Sequence, residues 1–351
     1  MYQKSRKILA ALMAGAMLLL AGCGGQGSSS AGAASTPADA GAAAAPSVVL
    51  KVASVSAPDS VIIQALNQFS ADVAEKSGGT IEVQVFPSSQ LGNQNETTEG
   101  VSMGTIEMCV NASAAFEAFD DQMSIYGIPF LFENDEHVYD FYCSDLSKTM
   151  LDNFSQTNNM TCLAFFNEGF RTVWSMDPIR TVEDFVGYKL RVPDVPAYID
   201  MFTALNCNAI PLAMGDIYTG LQTGTVDGLE FPISAVLQNK LAELTKFQTI
   251  TNHTGSMQFL FINNDVFNGL TAEQQDVLKA CAADAEAYGL QLLDESKASW
   301  TAEAEAMGVE TIELPADELA KIQDLMTPVV EQYTADKFSA DMIAEIRAMA
   351  K

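Results

Sequence analysis

From residue 50 onward, short β-forming runs alternate with amphipathic helical ones, a rhythm that restricts the chain to an α/β fold with a mostly parallel sheet. Leu50–Ser54 reads as a strand, and a helix follows Pro58 to about Lys76, its Val61, Ile62, Ala65, Leu66, Phe69 and Val73 recurring at three and four. Gly78-Gly79 stops that helix, and Thr80–Phe86 alternates as a strand with Ile81, Val83 and Val85 on one face. A helix over Asn95–Met103 leads into a strand at Ile106–Val110. Further strands are expected at Thr161–Phe166, Arg171–Ser175, Tyr188–Val192 and Val226–Phe231, with helices near Val182–Phe185, Ala197–Leu205 and Gly215–Thr223 between them. Thr271 to about Met307 is rich in Ala, Glu and Leu and lacks proline. It predicts one helix of about 50 Å, long enough to bridge two lobes. The chain has no internal repeat and no nucleotide-binding glycine loop.

Residues 1–22 have the zones of an export signal: basic Lys4, Arg6 and Lys7, an apolar run from Ile8 to Leu20, and small residues before Cys23. The apolar run is shorter than the roughly 20 residues that span a bilayer. Leu20-Ala21-Gly22-Cys23 looks like a bacterial lipobox, in which Cys23 is the lipidation site. Residues 23–46 are almost entirely Gly, Ser, Ala, Thr and Pro, too poor in apolar surface to fold, and read as a flexible tether. The body from residue 47 to 351 is long enough for two lobes with their own cores.

The formal charge is −27, and removing the three positive charges of the signal brings it to −30. That argues against nucleic acid and anionic lipid surfaces as partners. Only two histidines and no clustered Cys/His set argue against a zinc site or a histidine-based triad, and the chain reads as a non-enzyme without cofactor or metal of its own, with a metal bridging the ligand left open. Cys109, Cys143, Cys162, Cys207 and Cys281 form no close pair in sequence, leaving disulfides and buried thiols both open. Against this acidic background three arginines fall within 21 residues. Arg171 stands at the entry of one expected strand. Arg191 lies in another, on the face opposite Leu190 and Val192. A guanidinium matches a carboxylate with two parallel charge-assisted hydrogen bonds, although such arginines serve equally in structural salt bridges. Arg180, in a turn, reads as a surface residue, and His137 as part of a surface loop.

Four segments occur in order: Pro87-Ser88-Ser89-Gln90-Leu91-Gly92, Gly169-Phe170-Arg171, Lys189-Leu190-Arg191-Val192-Pro193, and Tyr218 to Gly228. Together they resemble the solute-binding subunits of tripartite ATP-independent periplasmic (TRAP) transporters of the DctP type, over about Val49 to Met326. The resemblance implies a two-lobed, periplasmic-binding-protein-like α/β fold with hinge strands and a long helix under both lobes. Lobe I would be 47–166 plus about 256–297, and lobe II 167–255 plus about 298–351. It further implies capture of a small carboxylate outside the cytoplasm and delivery to small and large membrane subunits by a monomer held to the membrane only through its lipid. A ligand-sensing lipoprotein reporting to a receptor is the alternative.

By the same resemblance Arg191 makes the principal salt bridge to the ligand carboxylate, Arg171 joins it, and Glu230 and His253 stand behind. Ser113 and Phe116 are expected at the ligand too, and Phe170 and Trp174 could add walls. Two positions depart from the family pattern. Phe231 replaces an asparagine that would hydrogen-bond the ligand, and Met214 replaces an aromatic ring. Both exchanges favour a cargo with an apolar or aromatic part.

Overall fold

The computed structural model describes residues 47–335 and 337–351. The expected signal peptide, Cys23 and the tether lie outside the described residues. Ten strands form the frame: β1 (Val48–Ser54), β2 (Ile81–Phe86), β3 (Met108–Ala112), β4 (Met160–Ser175), β5 (Lys189–Val192), β6 (Asn208–Pro211), β7 (Gly228–Pro232), β8 (Phe247–Ile250), β9 (Gly255–Asn263) and β10 (Glu310–Glu313). Their order is β2-β1-β3-β9-β4-β7-β5-β6, with β8 bridging β4 and β10.

The sheet is less parallel than expected. Five of its nine pairings are parallel, and they lie toward the two flanks. The four antiparallel ones all involve β4 or β9. The reason is topological: β4 carries the chain from one half of the sheet to the other and β9 brings it back. The two strand runs expected at Thr161–Phe166 and Arg171–Ser175 are one continuous 16-residue strand. Its alternation is broken by a bulge, since Asn167 faces Met257 whereas Phe170 faces Gly255, one extra residue on β4. Gly169 occupies the bulge at φ +93°, where a side chain would be strained. Asn167 holds the bulge by accepting the Gly169 N–H at 2.9 Å.

Helices cover the frame where their apolar spacing requires. Val61–Lys76 buries Ile62, Leu66, Phe69 and Val73, and Ser60 caps it by accepting the Ile63 N–H. Pro196–Ala204 buries Tyr198, Met201 and Phe202. The proline-free stretch forms one helix, Ala272–Ala306, closed at its start by a Thr271/Gln274 capping box. Its Leu278 to Trp300 pack in the core beside β1 and β9, while Ala304 joins the core beside β7. Among the described residues no helix is long and apolar enough to cross a membrane.

Several expectations about single residues are corrected. His137 is not in a surface loop: it is 1% exposed in the helix Asp135–Cys143, accepting the Glu133 N–H and donating through Nε2 to Ile346 O at 2.7 Å. Phe116 is fully buried in an aromatic core, its ring 4.4 Å from Phe261 and 6.0 Å from Phe154. Trp174 is core as well, its indole N–H donating to the Phe231 carbonyl at 3.1 Å. Arg180 is a surface residue paired with Glu310. All five cysteines of the described residues are free thiols.

Gly228 meets β4 so closely that a Cβ there would stand 2.5 Å from the Trp174 carbonyl oxygen and 3.0 Å from Tyr188. Both neighbours are fixed, the first as backbone. Gly228→Ala should therefore lower stability by about 1–3 kcal/mol, the usual cost of overpacking, read as a drop in denaturant midpoint at unchanged slope.

Candidate ligand site

The site is assembled on three adjacent strands. Arg171 on β4 is in register with Pro232 of β7, and Arg191 on β5 with Leu229 of β7, so Glu230 and Phe231 stand between the two arginines. Trans to these strands, the turns after β1, β2 and β3 supply the opposite wall. Together they enclose a cavity of about 460 Å³. Arg171, Arg191, Glu168 and Gln258 line it from the hinge strands and β5. Met214, Phe231, Pro211 and Val195 add an apolar side, and Ser56, Ser89, Asn93, Gln94 and Asn95 a polar one.

The two arginines differ in what neutralises them. Arg171 forms a bidentate pair with Glu230, Nε to Oε2 and Nη2 to Oε1 at 2.7 Å, and Nη2 also reaches the Glu230 carbonyl at 3.1 Å. Tyr198 and Phe231 flank its guanidinium, 5.0 and 4.9 Å from the ring centroids. Burial disfavours the charge of Arg171, but Glu230 outweighs it and holds the group above its ordinary value. Glu230 is fully buried. Burial works against its charged form too, yet the Arg171 charge and the hydrogen bonds from Arg171 and His253 bring the carboxyl down to about 2. His253 is held neutral by burial, its pKa lowered despite Glu230. Since the carboxylate can only accept, Nε2 carries the proton and donates to Glu230 at 3.2 Å, and Nδ1 accepts from Thr251 Oγ1 at 2.8 Å.

Among the described residues Arg191 has no acid of its own. Nε and Nη2 both donate to the Leu212 carbonyl, at 3.0 and 2.8 Å, and Nη1 is buried without a partner. Only 4% of the residue is exposed. Burial, with repulsion from Arg171 added and only partly offset by Glu230, brings Arg191 down to about 10. Phe231 lies 5.8 Å from this guanidinium as well. The site is thus a buried cation with one donor unspent, against an aromatic ring.

The residues expected from sequence divide accordingly. Arg191, Arg171, Phe231 and Met214 line the cavity, and Glu230 with His253 stands behind Arg171. Ser113 and Phe116 do not line it: their neighbours Ala112, Ala114 and Ala115 do, while Phe116 points into the core and Ser113 is buried beside it. Phe170 is likewise absent from the lining and packs against the aromatic core. Sequence reasoning missed Tyr198, Glu168 and Gln258. Glu168 directly precedes the Gly169-Phe170-Arg171 segment, and its place near an arginine at a broken strand pattern was the available signal. Tyr198 and Gln258 carry no local signal, since only the crossing of β5, β4 and β9 brings them near.

Residues 52–337 match the family described as bacterial extracellular solute-binding protein, family 7 (DctP). The chain is 32% identical over 252 residues to the 2,3-diketo-L-gulonate-binding periplasmic protein YiaO of Escherichia coli, covering 71% of this chain and 76% of that one. It is similar to a TRAP periplasmic solute-binding protein of Xanthobacter autotrophicus solved with bound β-D-galacturonate, at 28% identity and a TM-score of 0.81, covering 86% of this chain and 100% of that one. A TRAP periplasmic solute-binding protein of Desulfovibrio salexigens with bound orotic acid matches at 27% identity and a TM-score of 0.80, covering 86% of this chain and 98% of that one.

Glu230→Gln leaves Arg171 buried with its charge uncompensated and should cost about 3–5 kcal/mol near neutral pH. The folded-state pKa lies below the unfolded value of about 4.3, so this contribution is complete above that pH. It is lost as the pH falls through about 2. Thermal melts of both proteins should differ most at neutral pH and converge on acidification.

Proposed function

The chain belongs to family 7 of the bacterial extracellular solute-binding proteins, the DctP-type substrate-binding proteins of TRAP systems, and from that premise we propose that it captures a small carboxylate with an apolar part and delivers it to TRAP membrane subunits. Members of this family work outside the cytoplasm as transport proteins, not as enzymes. The single observation carrying the reading is Arg191: a buried guanidinium with a free Nη1, in a cavity whose lining acids, Glu168 and the exposed Asp194, do not bond to it. A ligand carboxylate supplies the missing countercharge and accepts the unspent hydrogen.

The relatives solved with galacturonate and orotic acid hold acids, which supports the same class here. Phe231 and Met214 favour an apolar or aromatic flank, since neither can replace a lost hydrogen bond to a sugar hydroxyl. Lobes drawn at 47–166 plus about 256–297 and at 167–255 plus about 298–351 would close over the ligand about β4 and β9. Only a ligand that favours the closed form can drive that closure. We read the protein as a monomer tethered through acylated Cys23 and the segment to residue 46, facing the small and large membrane subunits.

Arg191→Ala should weaken binding of the best acid in a thermal-shift panel of aliphatic and aromatic carboxylates by about 2–5 kcal/mol, the range for removing one partner of a buried charge pair. Calorimetric affinity within twofold of wild type would remove Arg191 from the site. For the anchor, Cys23→Ser should release the protein from the membrane fraction of expressing cells. Retention of that variant with the membranes would refute lipidation at this position.

A further inference from the structure

Glu168 is a second buried group that the carboxylate reading leaves unused. It is 5% exposed, sits in the β4 bulge and lines the same cavity as Arg191. Among the described residues no cation forms a salt bridge with it: Arg171 acts on it only through its charge and is bonded to Glu230. Its only hydrogen bonds come from neutral donors, Ser256 Oγ at 3.0 Å and Gln258 Nε2 at 2.9 Å, and both go to Oε2. Gln258 has thereby turned its amide nitrogen to Glu168, and its own Oε1 is buried with no partner. The bulge is itself built to hold this arrangement: Ser234 Oγ donates to the Glu168 carbonyl at 3.0 Å, and Asn167 is anchored by donating to Asp135 at 2.7 Å.

Two acceptors at this corner, Glu168 Oε1 and Gln258 Oε1, take no hydrogen bond among the described residues. The Ser256 hydroxyl hydrogen and one amide hydrogen of Gln258 are given to Glu168 Oε2. A ligand hydroxyl brings one hydrogen; an ammonium brings three and a positive charge. We propose that Glu168 and Gln258 form an amine-binding corner, and that the cargo is an amino-substituted carboxylate held as a zwitterion, carboxylate on Arg191 and ammonium on Glu168. The inference rests on the carboxylate reading of Arg191 and adds the second end of the ligand. Charge balance allows it: once Glu168 is ionised, Arg171 and Glu230 cancel, Arg191 and Glu168 cancel in turn, and a ligand without net charge leaves the buried site neutral. Burial pushes the Glu168 carboxyl up, over the opposing hydrogen bonds from Gln258 and Ser256 and the charge of Arg171. An ammonium at this corner supplies the cation that restores its charged form. With Phe231 and Met214 on the other wall, the group between the two charges would be apolar or aromatic.

The test compares matched acids that differ only at the carbon beside the carboxylate. Phenylalanine, phenyllactate and phenylpropionate make one series; leucine, hydroxyisocaproate and isocaproate make another. Calorimetry on the wild-type protein should show the better amino acid binding about tenfold or more tighter than its hydroxy and unsubstituted partners, as for a site that hydrogen-bonds a group its competitor lacks. In Glu168→Gln that ratio should fall to near one. Equal or tighter binding of a hydroxy or unsubstituted acid by wild type would overturn the amine corner while leaving the carboxylate site standing. So would a preference that survives in Glu168→Gln. Were that variant to misfold, the wild-type ratios alone decide. If no member of either series binds, the carboxylate reading falls, and this inference with it.

Discussion

The bidentate pair between Arg171 and Glu230 decides what every other group in the cavity can do. Two guanidiniums lie within reach of one ring, Phe231, and only one acid stands between them. Glu230 is committed to Arg171 by geometry: Val173 and Glu230 are in register across β4 and β7, so the carboxylate meets Arg171 Nε and Nη2 side by side. His253 and Thr251 complete the network and fix which nitrogen of the imidazole carries the proton. Arg191 is left with a carbonyl as its partner. A buried cation satisfied only by a neutral oxygen is costly, and that cost is what a ligand anion would relieve.

The hinge has a related logic. A continuous β4 makes the two halves of the sheet share backbone hydrogen bonds, so their relative movement has to bend strands rather than break them. The bulge at Asn167–Phe170 is where the strand changes partners, from β9 to β7 and β8. Glu168, within this bulge, lines the cavity. Ser234 and Asp135 tie the bulge to helices on either side of it.

Much of the fold was legible because local periodicity is strong. The strand and helix alternation over residues 50–110, the helix at 197–205 and the long helix from 271 all sit within a few residues of where spacing places them. β9 was not read, because its nine residues are buried throughout and show no polar alternation. β4 reads as two runs in sequence because the bulge at Asn167–Phe170 interrupts its alternation. Phe116 was misplaced for a simpler reason: an aromatic beside a small-residue turn packs equally well into a core or a cavity wall, and only the positions of Phe154 and Phe261 choose between them.

For the site, the sequence by itself marked out the arginines, since guanidiniums are scarce in so acidic a chain, whereas the exchanges at Phe231 and Met214 were visible only against the pattern of the family it resembles. It determined the α/β class and the long helix through periodicity alone. Which arginine is neutralised, which is left open, and which neighbours of Ser113 face the cavity were decided only by tertiary structure. The physical reason is that charge compensation and burial depend on distances between strands far apart in the chain. Glu230, His253 and Arg171 meet within hydrogen-bonding range only because β7 and the segment leading into β9 flank β4. Spacing along a sequence specifies the direction a side chain takes from its own strand, whereas its partner is chosen by the neighbouring strand.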